Sequence, residues 1–316
     1  AYVNVLSSII FAGMSGAATA DAAGLGQIEI EAMLKEGYAP EYSAAITAAS
    51  SIIGPIIPPS IPFVIYGVMA QVSIGSLFLA GLVPGLLIGI MLLLMIYFPM
   101  RRSSMKVRPR STFKQIAAAF KDSFWALLAP VIILGGIFSG VFNPTEAGAA
   151  DSLYALILGF IYKRIKLKDL PTLLGDPMLA TAQVTFTVAA AGLFGWILTR
   201  YNFPSAVTEL LLSVTSNKYV ALLLINIALL ILGCFIDATA LLIMMTPVLI
   251  PIANSFGISL IHMGLIVVIC CMIGINTPPV GICLYIVSDI AKASMAKVVK
   301  QMMPFYIAYL VSLFFI

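Results

Sequence analysis

The sequence predicts an all-α polytopic membrane protein that contains an inverted internal repeat, and three observations support this fold class. Of the 316 residues, 61% are hydrophobic and only 9% are charged, whereas soluble domains carry roughly 25% charged residues. Residues 42–100 contain no Asp, Glu, Lys or Arg, and Asp237 is the only formal charge between Lys218 and Asp289. Glycines and prolines also recur at an offset of 220 residues. The composition excludes an ordinary soluble enzyme, a disordered chain and a disulfide scaffold.

Apolar segments separated by Gly and Pro define the predicted helices. We expect apolar elements at 1–14, 17–34, 42–53, 61–72, 76–98, 125–141, 145–162, 176–199, 203–216, 219–234, 239–256, 259–273, 280–291 and 303–316. Residues 112–124 are amphipathic and predict a helix along the membrane surface. Several elements are too short to cross, because twelve residues reach about 18 Å and the hydrocarbon core is about 30 Å thick. Short apolar segments with such breaks are typical of re-entrant hairpins and discontinuous helices.

The internal repeat appears when the sequence is aligned with itself at the 220-residue offset. The matched positions are Gly13 with Gly233, Ala18–Ala20 with Ala238–Ala240, Gly54 with Gly274, and Pro58-Pro59 with Pro278-Pro279. These matches fall on residues that set backbone shape, where a structural repeat would be visible.

Clusters of basic residues orient the two copies in the membrane. Short basic loops beside apolar spans lie on the cytoplasmic side, which places 101–110, 163–168 and 292–300 there. The segment that follows the second copy's last break carries basic residues, whereas the equivalent segment 71–76 carries none. We therefore expect the copies to cross in opposite directions, as in many secondary transporters. Residues 121–220 would then pair with about a hundred further residues before Ala1.

Each copy contains two backbone breaks, and these are the candidate functional segments. They lie at 13–19 and 54–60 in the first copy and at 233–239 and 274–279 in the second. Proline frees a carbonyl one turn earlier, and carbonyls at helix C-termini attract hard cations. Helix N-termini that face them offer N–H groups to an anion. A pair of breaks can therefore hold a cation and help to hold an anionic substrate.

Two carboxylates beside the breaks have alternative interpretations. Asp237 lies in a long uncharged stretch and is predicted either to be a buried cation ligand at a hairpin tip or to cap the next helix. Its counterpart is Ala17, which would leave the first copy with Ser15 and carbonyls. Asp21 lies one turn beyond the tip and would either serve the substrate region or form a salt bridge elsewhere. Residues 143–146 (NPTE) predict a helix start with its own cap.

Four segments resemble the large membrane subunit (DctM type) of TRAP transporters, and the resemblance covers essentially the whole chain. They are NVLSSIIFAGMSGAATAD, AAITAASSIIGPIIPPSIPFVIYG, GIFSGVFNPTEAGAADSLYALILG and IGINTPPVGICLY. The resemblance implies a sodium-coupled importer of organic acids, such as C4-dicarboxylates or sialic acid, in the bacterial inner membrane. It implies an elevator mechanism and two or more co-transported sodium ions. It also implies two partners, namely a small DctQ-like subunit, separate or fused upstream, and a periplasmic DctP-like binding protein.

The resemblance also implies site residues. One sodium site would use Ser15, Gly54, Ile57 and Pro59, and a second would use Gly233, Asp237, Gly274, Thr277 and Pro279. Family members often carry a second Ser where this chain has Ala17, so the first site has one ligand fewer or gains a water. Substrate would lie near Thr19, Ser60, Asn276 and Thr277.

The expected organisation separates a transport domain from a scaffold. Residues 1–72 and 219–291 would form the transport domain, 73–218 the scaffold and arm helices, and 292–316 a terminal scaffold helix. Two alternatives to the importer stay open at this point. One is an intramembrane aspartyl hydrolase that uses Asp21 and Asp237, and the other is an organic-ion symporter that needs no binding protein. Nothing in the sequence matches a nucleotide-binding loop, so an ATP-driven pump is not predicted.

Overall fold

A computed structural model describes residues 1–101 and 112–316, which are almost entirely helical and contain no strand. The helices up to residue 101 are α1 (Tyr2–Ser15), α2 (Ala18–Ala20), α3 (Gly26–Lys35), α4 (Pro40–Ser51), α5 (Ile61–Ala70) and α6 (Ile74–Arg101), and a π-helical segment, Asp21–Leu25, joins α2 to α3. The later helices are α7 (Phe113–Phe138), α8 (Pro144–Ile161), α9 (Leu170–Arg200), α10 (Phe203–Val214), α11 (Lys218–Gly233), α12 (Ala238–Ser255), α13 (Leu260–Gly274), α14 (Ile282–Ile290) and α15 (Met295–Phe315). The all-α prediction is confirmed.

The chain divides into two compact units. One contains Ala1–Arg101 with Thr185–Ile316, and the other contains Arg102–Val184. Within the described ranges, five helical segments are long and apolar enough to cross a membrane. They are Ile74–Arg101, Phe113–Phe138, Leu167–Arg200, Ala238–Ser255 and Met295–Phe315. By length and composition, these spans agree with the predicted multi-pass membrane protein.

Helix boundaries in the larger unit recur at the 220-residue offset found in the sequence. The segment from α2 through α3 covers residues 18–35, and α12 covers 238–255. Helix α4 begins at Pro40, and α13 begins at Leu260. The pairs α5 and α14, and α6 and α15, also begin within one residue of this offset. Local backbone shape thus follows the glycine and proline pattern in both segments.

The two copies exchange contacts in the core of the larger unit. Helix α5 packs against α12 and α13, and α14 packs in return against α3 and α4. Likewise α6 packs against α13, and α15 packs against α4. Each copy thus packs its last two helices against the central helix of the other copy. The innermost helices are buried on every side, over residues 43–51 of α4 and 263–274 of α13.

The smaller unit corrects one prediction and confirms another. The surface helix expected at 112–124 and the span expected at 125–141 are a single helix, α7, because no Gly or Pro interrupts the chain before Pro130. Helix α8 starts as predicted, since Asn143 Oδ1 accepts from Glu146 N and Glu146 Oε2 accepts from Asn143 N, both at 2.9 Å. The predicted cytoplasmic loop 101–110 lies outside the described residues, apart from Arg101.

Helix α15 also starts earlier than the sequence indicated. It begins at Met295 rather than at 303, and Pro304 lies within it. A proline is tolerated inside an apolar helix when neighbouring helices or water satisfy the carbonyl that it frees. The basic residues Lys297 and Lys300 therefore belong to the first turns of a long helix and not to a loop.

Candidate functional site

A buried carboxylate lies where the break between α1 and α2 meets the loop that follows α4. Asp21 is only 2% exposed. Its Oδ1 accepts a hydrogen bond from Ser15 Oγ at 2.5 Å. Its Oδ2 is buried and has no hydrogen-bond partner among the described residues. A carboxylate oxygen is costly to bury without a donor, so this atom fits a bound cation.

Gly54 completes this cluster from the loop after α4. A Cβ at this position would lie 2.8 Å from Asp21 Oδ2 and 3.2 Å from Ser15 Oγ. Any side chain here would therefore occupy the space beside the carboxylate. The sequence places a glycine where the backbone must approach the carboxylate closely.

The chain reaches this arrangement through the way α1 ends. Gly16 takes a left-handed conformation, with φ of 61°, and so terminates the helix directly after Ser15. The carbonyl of Gly16 accepts from Ile61 N at 3.3 Å. A Cβ on Gly16 would lie 2.8 Å from the Pro59 carbonyl oxygen. The break between α1 and α2 and the proline-rich loop after α4 are therefore in direct backbone contact.

The structure brings together most of the residues predicted for the first sodium site. Ser15 and Gly54 meet at Asp21, and the Pro59 carbonyl lies against the residue that follows Ser15. Ile57 belongs to the same loop, and its side chain is buried against Gly85 of α6. A role for the Ile57 main chain in binding an ion stays a prediction.

A second cluster forms where the break between α11 and α12 meets the loop after α13. A Cβ on Gly274 would lie 2.6 Å from the Gly233 carbonyl oxygen, so the two glycines touch through their backbones. Val280 N donates to Cys234 O at 3.2 Å and joins the same two segments. The Thr277 hydroxyl donates to Ile273 O at 2.7 Å. Pro279, beside these residues, is exposed.

Asp237 differs from its predicted setting. Its side chain is exposed rather than buried, and it caps α12 by accepting from Thr239 N at 2.9 Å and Ala240 N at 3.2 Å. An Asp at this position satisfies N–H groups that the first helical turn leaves unpaired. The expectation of a lone buried charge at Asp237 is corrected, because the buried carboxylate beside a break is Asp21. The capping interpretation is observed, and the role as a cation ligand stays a prediction.

The residues predicted for substrate contact lie in three different settings. Thr19 is half-buried in α2 at the hairpin tip. Ser60 is buried, donates to Pro55 O at 2.5 Å and accepts from Phe63 N at 3.2 Å, which caps α5. The Asn276 side chain is fully buried and donates to Ala48 O at 2.5 Å. Substrate contact by these residues and by Thr277 stays a prediction.

One buried carboxylate was not among the predicted residues. Glu29 in α3 is 8% exposed, and neither of its carboxylate oxygens has a hydrogen-bond partner in the described ranges. The internal repeat is the sequence signal that could have identified Glu29. Asp21 and Glu29 stand where the second copy has Leu241 and Leu249, so both positions face a core in the fold's other half.

Comparison with known proteins agrees with these features. Residues 1–316 match the family described as "Tripartite ATP-independent periplasmic transporter, DctM component". The chain is 44% identical over 304 residues to the sialic acid TRAP transporter large permease protein SiaM of Vibrio cholerae, which covers 96% of this chain and 71% of that protein. It is 43% identical over 313 residues to the sialic acid permease protein SiaT of Haemophilus influenzae, covering 99% and 51%.

A third relative has a different named substrate. The C4-dicarboxylate large permease protein DctM of Pseudomonas aeruginosa is 36% identical over 310 residues, covering 98% of this chain and 73% of that protein. Of the Haemophilus permease, which is longer, this chain spans only about half the length. All three relatives are transporters, so the hydrolase alternative is wrong and the chain is not an enzyme. Taken with the helix order and the match over its whole length, this shows that the chain belongs to the DctM family, the large permease of TRAP transporters.

Proposed function

We propose that this chain is the permease subunit of a sodium-coupled importer of organic acids that receives its substrate from a periplasmic binding protein. The observation that carries the proposal is the unpartnered Oδ2 of Asp21, buried beside two breaks in the helices. An ionisable group buried inside a membrane protein marks an ion or substrate pathway. Ser15, in the same cluster, supplies a hydroxyl oxygen next to that carboxylate.

The donor set favours a hard cation. Around Asp21 the available ligands are carboxylate, hydroxyl and carbonyl oxygens, which suit alkali and alkaline-earth ions rather than metals that prefer thiolate or imidazole. We assign the first sodium site to Ser15, Asp21 and the main chain of Gly54, Ile57 and Pro59. The second site uses the Gly233 carbonyl with Asp237, Gly274, Thr277 and Pro279. Asp21 is our addition to the set predicted from sequence, and its burial beside Ser15 and Gly54 supports it.

The contacts of α4 and α13 support an inverted repeat. Their carboxyl ends meet, because the Asn276 amide that follows α13 donates to Ala48 O in α4. Their starts contact different elements: Glu41 in α4 lies 3.4 Å from Lys297, and Leu260 in α13 accepts from Tyr66 Oη at 2.7 Å. Two helices whose carboxyl ends meet, and whose starts contact different elements, are expected to approach from opposite sides. We propose that the hairpins are re-entrant and that they move together, elevator-like, against the remaining helices.

Substrate and partners follow from the relatives by analogy. The relatives at 44% and 43% identity are named for sialic acid, and the one at 36% is named for C4-dicarboxylates. We therefore propose a carboxylate substrate, with sialic acid as the first to test. A DctP-like binding protein would deliver it from the periplasm to the inner membrane, and a DctQ-like small subunit would complete the transporter.

The decisive experiment is uptake into proteoliposomes that contain the complete permease and its small subunit. With binding protein and labelled sialic acid outside, we expect accumulation only under an inward sodium gradient. An equal potassium gradient is the control. Equal uptake under both gradients, or undiminished uptake without the binding protein, would contradict the proposal.

The variant Asp237→Asn separates the two roles of that residue. Asn caps helices as well as Asp does, so we expect an unchanged melting temperature. Because the charge is lost, we expect the apparent sodium affinity, measured from uptake, to fall by about 10-fold or more, which corresponds to about 1.4 kcal/mol of ion binding. Uptake and sodium stoichiometry equal to wild type would show that Asp237 serves only as a cap.

The variant Gly54→Ala tests the space beside Asp21. Its methyl group would enter the position 2.8 Å from Oδ2, so we expect sodium affinity, measured from uptake, to fall by about 10-fold or more. Gly24→Ala, in the same hairpin, is a matched control because nothing lies within 4 Å of its Cβ position. Equal sodium affinities in both variants would exclude Gly54 from the ion site.

A further inference from the structure

Asn276 is the only residue of the second cluster whose side chain reaches the first copy by a hydrogen bond described here. It lies between the end of α13 and Pro278, inside the predicted second sodium loop. The residue is fully buried, and its Nδ2 donates to Ala48 O at 2.5 Å. A buried amide that bonds to a distant main-chain atom fixes both segments relative to each other.

The acceptor lies at the end of the helix that leads into the first sodium loop. Ala48 belongs to the last turn of α4, where the helix has no following turn to supply N–H partners. The N–H of Ile52 donates to Ser50 O and does not make the usual helical hydrogen bond to Ala48 O. Its neighbour Ala49 O accepts instead from Tyr309 Oη of α15 at 2.8 Å. Two of the end carbonyls of α4 therefore accept hydrogen bonds from the second copy, and Ala48 O also accepts one from Ser51 Oγ at 2.8 Å.

The main chain of Asn276 is held as firmly as its side chain. Its carbonyl accepts from Tyr306 Oη at 2.6 Å. The next residue, Thr277, bonds back to Ile273 O, and Gly274 lies against Gly233. A change in the carbonyls around a bound ion in this loop would therefore displace the Asn276 amide, and with it the end of α4.

The hydrogen bonds that Asn276, Tyr306 and Tyr309 make have no counterpart at the equivalent positions of the first copy. At the 220-residue offset, the first copy has Ile56, Leu86 and Gly89 where the second has Asn276, Tyr306 and Tyr309. None of these three side chains can donate a hydrogen bond. One copy thus folds without such hydrogen bonds, so the bond from Asn276 to Ala48 O is an added feature of the other copy.

We propose that Asn276 is a positioning residue that couples the two sodium sites, so that occupancy of one raises the affinity of the other. The inference rests on the proposed sodium-coupled function. Coupling between sites is reciprocal and typically changes affinity by about 5- to 150-fold. The buried amide links the second loop to the end of α4, the helix that leads into the first loop, and so provides the physical connection that such coupling requires.

The test compares the sodium dependence of uptake in wild type, Asn276→Leu and Tyr309→Phe, each in the full transporter. Leu fills a similar volume without a donor, and Phe removes the hydroxyl that donates to Ala49 O while it leaves the amide of Asn276 in place. We expect cooperative sodium activation in wild type and Tyr309→Phe. In Asn276→Leu we expect a non-cooperative curve and an apparent sodium affinity about 10-fold weaker.

The melting temperature of each variant separates coupling from stability. A purely structural role would lower the melting temperature and the uptake rate of Asn276→Leu while its curve stayed cooperative, and that result would overturn the proposal. A non-cooperative wild-type curve would overturn it as well, with sodium-driven uptake itself intact. Loss of sodium dependence in the wild type would instead defeat the proposed function. If Asn276→Leu does not fold, Asn276→Ser supplies the same comparison.

Discussion

Replacing Asp21 with Asn is expected to abolish sodium-driven uptake and to leave the permease folded. The Asn carbonyl can still accept the bond from Ser15, so the hairpin tip keeps its contact. The amide nitrogen would then stand where Oδ2 is now, beside Gly54, and would present hydrogens in place of an acceptor. A cation at this position would lose both its negative partner and one ligand.

We expect Asp21→Asn to maintain or raise thermal stability although it abolishes uptake. A buried carboxylate without a partner is costly, and a neutral amide of the same shape costs less. We therefore expect the melting temperature of Asp21→Asn, in the absence of sodium, to equal or exceed that of wild type. Uptake under a sodium gradient should fall to the background of empty liposomes.

Glu29→Gln provides a matched control for this experiment. It also removes a buried, unpartnered carboxylate in the first hairpin, but Ser15 and Gly54 contact Asp21 and not Glu29. We expect this variant to retain sodium-driven uptake. Undiminished uptake by Asp21→Asn, or equal losses in the two variants, would remove Asp21 from the ion site.

The features that sequence predicted well are those with local causes. The break after Ser15, the helix start at Ile61 and the cap at Asn143 each depend on residues within one turn. Glycine and proline determine backbone conformation wherever they stand, so the same pattern predicts the same break in both copies. The repeat then extended these local signals to the order of helices.

Burial of individual charges was less predictable, because it depends on contacts across the chain. Asp21 is buried since Gly54, thirty-three residues later, packs against it. Asp237 is exposed although its stretch of sequence is almost free of charge. The hydropathy of the sequence therefore identified the apolar segments correctly, but it could not show which carboxylate is buried.

The other errors concern long helices, and they arise because the polarity of the sequence changes within a single helix. Residues 113–124 are amphipathic whereas 125–138 are apolar all round, which suggested two elements. A change in the polarity of its surroundings does not end a helix, since only missing hydrogen bonds or a breaking residue does. Helix α7 continues through the change.

The variant Gly274→Ala is expected to damage both stability and transport. Its Cβ would lie 2.6 Å from the Gly233 oxygen, 2.7 Å from its carbonyl carbon and 2.8 Å from its Cα. All three atoms belong to the backbone, so no side-chain rotation can relieve the clash. The break after α13 must move away from the break after α11, at a cost of about 1–3 kcal/mol. We expect a lower melting temperature and uptake near background, because the second ion site lies between these loops.

Two other glycines make the experiment quantitative. Gly233→Ala would place its Cβ 3.3 Å from the Gly274 Cα, a milder approach from the other side of the same contact. Gly192→Ala in α9 meets nothing within 4 Å and should stabilise its helix by roughly 0.5–1 kcal/mol. Melting temperatures should therefore rise in the order Gly274→Ala, Gly233→Ala, Gly192→Ala, and sodium-driven uptake should follow the same order. A Gly274→Ala permease as stable and active as Gly192→Ala would mean that the two breaks do not touch in the membrane, and the second sodium site would have to lie elsewhere.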